Sequence, residues 1–178
     1  MFKIFDKISI AKIVGDHVNT LKDYGSSKYS KPDIILFFFV PFIISAASVY
    51  FGLLLNKDLV GILINVFSIF AGLLFNLLVL LYDVISKISN SVKSKQSNQL
   101  KINLLEQVFS NISFEILLSL FNVILLAVST LFNSKIVNST FSFLIFYLVI
   151  LFTLSLLMVL KRVHKLLSDE IREQKNSV

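Results

Sequence analysis

The sequence contains no cysteine, no tryptophan and only two histidines. Without cysteine, disulfides, thiolate metal sites and thiol catalysis are excluded. Without tryptophan, an interfacial aromatic belt must be built from tyrosine; Tyr29, Tyr50 and Tyr82 lie at or near the ends of apolar blocks. His17 and His164 are far apart in sequence, with none of the partners that a metal site or a general base needs, so both read as lone surface residues. Charge is also scarce: 16% of the 178 residues, against about 25% in soluble domains. There is no glycine-rich phosphate loop, no useful pair of carboxylates and no nucleophile elbow. These absences argue against an enzyme and lead us to expect no cofactor and no metal. No cleavable signal peptide is visible, because the first long apolar run starts only at residue 34, behind a mixed-charge segment.

What the chain has is apolar length. Hydrophobic residues make up 56% of it, including eighteen phenylalanines, and the mean hydropathy is +0.82. They gather in four blocks: Ile34–Leu55, Leu59–Tyr82, about Ile112–Phe132 and about Phe141–Leu160. A helix of about 20 residues crosses a hydrocarbon core of about 30 Å. The links Asn56-Lys57-Asp58 and Asn133 to Thr140 are short. The expected fold is therefore an all-α integral membrane protein of four transmembrane helices in two antiparallel hairpins. Five segments follow: 1–33, an amphipathic helix and linker; 34–82, the first hairpin; 83–111, a connecting segment; 112–160, the second hairpin; and 161–178, a C-terminal helix.

Orientation follows from the basic residues. Of 17 lysines and arginines, only Lys57 and Lys135 fall in the two short links. Basic residues concentrate on the cytoplasmic side, so both termini and the central segment are expected there. Richness in Lys, Asn, Ile, Phe and Ser suggests an AT-rich bacterial genome, hence the bacterial inner membrane.

The cytoplasmic parts are also expected to be helical. Ile10, Ile13, Val14, Val18 and Leu21 share one face, opposite Lys12, Asp16, Asn19 and Asp23, as in a helix at an interface or on partner helices. Gly25-Ser26-Ser27 breaks that pattern, and Pro32 opens the first span where proline is tolerated. Ser89–Gln99 reads as a turn. Leu104, Leu105, Val108 and Phe109 restart a helix, and Lys161–Glu173 extends the fourth helix outward.

Polar residues in a span are costly and should face protein or water. In the second span Gly61, Asn65, Ser68, Gly72 and Asn76 fall within about an 80° arc, continued by Asp83. Glu115, Ser119, Asn122, Ser129 and Asn133 do the same in the third, and Pro41, Ser45, Ser48, Gly52 and Asn56 in the first. The fourth has only scattered polar groups, so it is the expected lipid-facing helix. Two readings stay open. Small residues and cross-helix hydrogen bonds serve helix packing. Alternatively Asn65, Ser68, Asn76, Glu115, Ser119 and Asn122 line a pore in an oligomer, guessed to be a tetramer. Glu115, about one turn inside its span, then forms an acidic ring favouring cations; otherwise it snorkels to the headgroups. Lys87, Lys93, Lys95, Lys101, Lys161, Arg162 and Lys165 are candidates for contact with anionic lipid or a polyanionic ligand.

The segment Phe70-Ala71-Gly72-Leu73-Leu74-Phe75-Asn76-Leu77-Leu78-Val79-Leu80-Leu81-Tyr82-Asp83 resembles a second-span motif of small four-helix membrane effectors from bacterial antiphage systems. The membrane subunit of the Hailong system is most similar, and that of Kiwa second. The likeness covers topology and size over the whole chain and a motif over these fourteen residues. It implies a homo-oligomeric ion channel, gated by an anionic nucleotide or oligonucleotide that an operon partner makes, whose opening depolarises the cell. The alternative is a non-conducting membrane anchor or sensor that recruits a soluble partner protein.

Overall fold

The computed structural model describes residues 10–21, 31–89, 95–132 and 134–176. Among these every regular element is helical. Helix α1 spans Ile10–Asn19. A short α2, Lys31–Ile34, passes through a π-helical turn, Ile35–Phe39, into α3, Val40–Tyr50. Three long helices follow: α4, Lys57–Ser89; α5, Lys95–Ser129; and α6, Lys135–Asn176. Four stretches are long and apolar enough to cross a membrane: Pro32–Tyr50, Lys57–Lys87, Lys101–Ser129 and Lys135–Asp169.

Local sequence explains where these helices bend and stop. Pro41 has no N–H to give the carbonyl one turn back, and its ring crowds that carbonyl. The preceding turn widens accordingly, with the Val40 N–H donating to the Ile35 carbonyl. The first span was expected to reach Leu55 but stops at Tyr50. Gly52 takes a φ of +80°, and the Leu53 and Gly52 N–H groups donate to the Ser48 and Val49 carbonyls at 2.9 and 3.0 Å. This is a Schellman stop, which needs the left-handed backbone that glycine adopts most readily. Asn56 then caps α4, its side-chain oxygen accepting the Leu59 N–H at 2.8 Å.

The later helices run longer than their apolar blocks. The 33 residues of α4 extend about 50 Å, well beyond a hydrocarbon core of about 30 Å. Lys95–Gln99, read as part of a turn, belong to the first turns of α5; Lys and Gln are good helix formers, and no glycine or proline interrupts them.

The helices are neighbours in the order α4, α5, α6, α3, and α1 lies on α5. Among the described residues α3 packs along α6, not along α4, although a short link joins α3 to α4. The expectation that the fourth span faces lipid is overturned. Ser142, Ile145, Leu148, Phe152, Ser155 and Val159 recur at three- and four-residue spacing on α6, and all are buried. That seam seats α6 between α3 and α5. The outermost helix is α4, with 11% of its apolar window buried against 33% for α6. Its buried residues, Val60, Phe67, Leu74 and Leu81, repeat every seven positions and make one narrow seam. Phe67 and Phe70 also set their rings edge-on to Phe152 of α6, with centroids 5.1 and 5.4 Å away.

Both short links meet at one end of the bundle, around a depression lined by Asn56, Ser129, Lys135 and Asn138. There the Leu55 N–H donates to Ser142 Oγ at 2.9 Å, and Asn138 Nδ2 donates to the Leu55 carbonyl at 3.4 Å. At the other end α1 packs on α5, and Thr20, just past α1, receives Arg162 of α6.

Candidate functional site

The candidate pore residues divide between two opposed environments. Gly61, Asn65, Ser68, Gly72, Asn76 and Asp83 on α4 are all exposed on the outside of the bundle. Taken at about 100° per residue, their arc lies roughly opposite the Val60–Leu81 seam. One cause explains both faces: α4 packs through a single heptad stripe, so everything across the helix axis points outward. In hydrocarbon two outward asparagine amides would cost several kcal/mol each.

Glu115, Ser119 and Asn122 point the other way. All three are completely buried inside the bundle, as is Asn111 one turn before Glu115. Two of them are partly satisfied by their own helix: Ser119 Oγ donates to the Glu115 carbonyl at 2.8 Å, and Asn122 Nδ2 donates to the Leu118 carbonyl at 2.9 Å. Both Glu115 carboxyl oxygens, Asn122 Oδ1 and Ser155 Oγ are buried without a hydrogen-bond partner, although Ser155 of α6 stands close enough to influence the carboxyl. The result is a polar column buried inside the bundle. Asn65, Ser68 and Asn76 are therefore grouped by the fold, and Glu115, Ser119 and Asn122 are grouped separately.

At the end of the bundle that carries α1, His17 corrects the reading of a lone surface histidine. It is 3% exposed. Its ring stacks on Phe114 of α5 with centroids 3.9 Å apart and meets the edge of Phe37. Its Nδ1 hydrogen-bonds to Asn111 Oδ1 at 2.9 Å. Thr20 Oγ1 reaches the same Asn111 oxygen at 2.9 Å and its own helix at the His17 carbonyl, 2.7 Å away. Arg162 of α6 donates from Nη2 to the Thr20 carbonyl at 2.8 Å. One hydrogen-bonded chain thus joins α1, α5 and α6. Burial is the main force pushing the His17 imidazole down to about 4; the Asn111 hydrogen bond opposes that shift and the Arg162 charge adds to it. The sequence did hold a signal, because Ile13, His17 and Leu21 stand four residues apart. Ile10 and Val14, expected on the packed face, remain exposed.

The basic candidates also separate. Lys161, Arg162 and Lys165 sit together on α6 beside Asp33. Lys87 is exposed in the last turn of α4, and Lys101 is half-buried near the start of α5. Lys95 begins α5, and Lys93 lies outside the described residues. Among the described residues no group of three His, Cys, Asp or Glu side chains is placed to hold a metal ion.

The fold and these sites define an all-helical chain with four candidate membrane spans. No protein-family model matches it, and no curated protein or solved structure is detectably similar.

Proposed function

We propose that the chain is the protomer of a homo-oligomeric ion channel, with α4 lining the conducting path. The observation that carries this is the outward polar arc of α4. Asn65, Ser68 and Asn76 are exposed on a helix whose opposite face already meets its packing needs. Assembly of several copies would turn those arcs toward one axis and give the amides water. Gly61 and Gly72 on the same arc leave room for close approach. The end carrying α1 and the C-terminal half of α6 is then cytoplasmic, following the basic-residue asymmetry, and these two segments form the gating platform in the bacterial inner membrane. The likeness of Phe70–Asp83 to antiphage effectors supports a depolarising role in defence and gating by an anionic nucleotide or oligonucleotide from an operon partner.

Ion flux from liposomes carrying the purified protein tests this, with single-cysteine variants at Asn65, Ser68 and Asn76. The natural chain has no cysteine, so labelling carries no background. Protein-dependent flux that a membrane-impermeant thiol reagent blocks at these positions is expected. No flux, together with unreactive cysteines, overturns the proposal. The second reading, a non-conducting anchor or sensor for a soluble partner, draws support from the exposed Ile10 and Val14 on α1. It requires that deleting residues 1–24 abolish partner capture.

A further inference from the structure

An exposed apolar stripe runs down the part of α6 that lies beyond its apolar block. The block ends at Leu160, and Leu160, Leu167 and Ile171 are 63%, 59% and 54% exposed. At about 100° per residue the three fall within about a 40° arc, with exposed His164 beside them. Scattered exposed leucines are ordinary. Three on one helical line, spaced seven and then four residues apart, form the kind of face through which helices pair.

Lipid does not account for this stripe. No glycine or proline interrupts α6 from Lys135 to Asn176. The end of the helix therefore keeps the direction of the span and does not turn to lie along the membrane surface. The helical rise puts Leu167 and Ile171 about 10 and 16 Å past Leu160, outside the hydrocarbon.

Charge indicates what covers it. Lys161, Arg172 and Lys175 are exposed along one edge of the stripe, about 60–120° around the axis from Leu160. Among the described residues of this stretch no acid is exposed, and Asp169 is half-buried about 180° from Leu160. A second copy of α6 would gather more basic groups around the same short seam and, among the described residues, bring no exposed acid to meet them. A partner with carboxylates at its edges meets both the apolar and the basic demand.

We propose that this stripe docks an amphipathic helix of a soluble partner protein, apolar at heptad spacing on one face and acidic along its edges. Its apolar side chains cover Leu160, Leu167 and Ile171 over about three turns, and its carboxylates meet Lys161, Arg172 and Lys175. This gives the anchor or sensor reading a surface separate from α1, and it stands whether or not α4 conducts.

Fluorescence anisotropy with the full chain in phosphatidylcholine nanodiscs tests this. The probes are a synthetic leucine-heptad peptide flanked by glutamates and the same peptide flanked by lysines. The glutamate peptide is expected to bind about tenfold tighter than the lysine peptide, and to weaken as salt is raised. Leu167→Asp/Ile171→Asp should cut that binding by about tenfold or more with an unchanged Tm, because both side chains are exposed. Ile10→Asp, on exposed α1 surface, should leave it unchanged, and Lys161→Glu/Arg172→Glu should reverse the preference between the peptides. Equal binding of both peptides, equal binding to nanodiscs without protein, or full binding by the Leu167/Ile171 variant overturns the proposal. So does a smaller oligomer in that variant, which would make the stripe a contact between copies. None of these readouts is ion flux, so the channel reading and this one fail separately.

Discussion

Acid should loosen α1 from the bundle, and His17 sets the pH range. Its imidazole is held at about 4 against an ordinary value of 6.5, so docked α1 keeps it neutral where undocked α1 would let it take a proton. The undocked state binds more protons between those limits. The contribution of His17 to docking is therefore complete above 6.5 and is lost as the pH falls toward 4. The full difference corresponds to about 3 kcal/mol, at about 1.4 kcal/mol per pH unit. About 1.4 kcal/mol of it is already gone near pH 5.5. Among the charges near the ring, Arg162 reinforces the effect by repelling a protonated imidazole, and Asp33, set against Arg162, partly offsets it. The assay is an NMR titration of the His17 imidazole. Spin labels on Asn19→Cys and Glu106→Cys, which border one surface depression, report whether α1 moves away. We expect His17 to resist protonation until the labels separate, and His17→Gln to flatten that pH response. A His17 that titrates at its ordinary 6.5 while the labels stay close would refute this account.

Further consequences are checked by thermal unfolding and flux. Glu115→Leu removes two buried, unpartnered carboxyl oxygens at similar volume and should stabilise the chain by about 1–3 kcal/mol, seen as a raised Tm; a lowered Tm would mean that the carboxyl is satisfied by water or an ion. Gly52→Ala forces a side chain into the φ of +80° and should cost about 1–2 kcal/mol, again read as Tm. Ser142→Ala leaves the buried Leu55 N–H without its 2.9 Å acceptor and should cost about 1–3 kcal/mol. Asn76→Leu should abolish liposome flux with an unchanged Tm, because Asn76 lies on the outward arc and makes none of the core seam.

Much of the fold was legible because the bilayer is a strict solvent. A backbone crossing hydrocarbon must satisfy its own hydrogen bonds, so four apolar blocks could only be helices. The polar arc of α4 was also readable, since angular position depends only on helix pitch. Whether a polar stripe faces inward or outward was not readable, because pitch says nothing about which side a neighbour takes. Asn65 and Glu115 stand on equally regular stripes, yet one lies on the outside of the bundle and the other is fully buried. His17 was misread for the same reason: its ligand, Asn111, lies 94 residues away.

The sequence by itself did not determine the stop at Gly52 or the widened turn before Pro41 inside the first apolar block, but it did determine the four apolar blocks and their helical form. These are properties of the chain and its solvent. Tertiary structure alone decided that α3 lies along α6, that α4 is outermost, and that α1 is fastened through His17, Thr20 and Arg162. Those outcomes depend on side-chain shapes meeting across helices far apart in sequence, and a single strand of residues carries no measure of that fit.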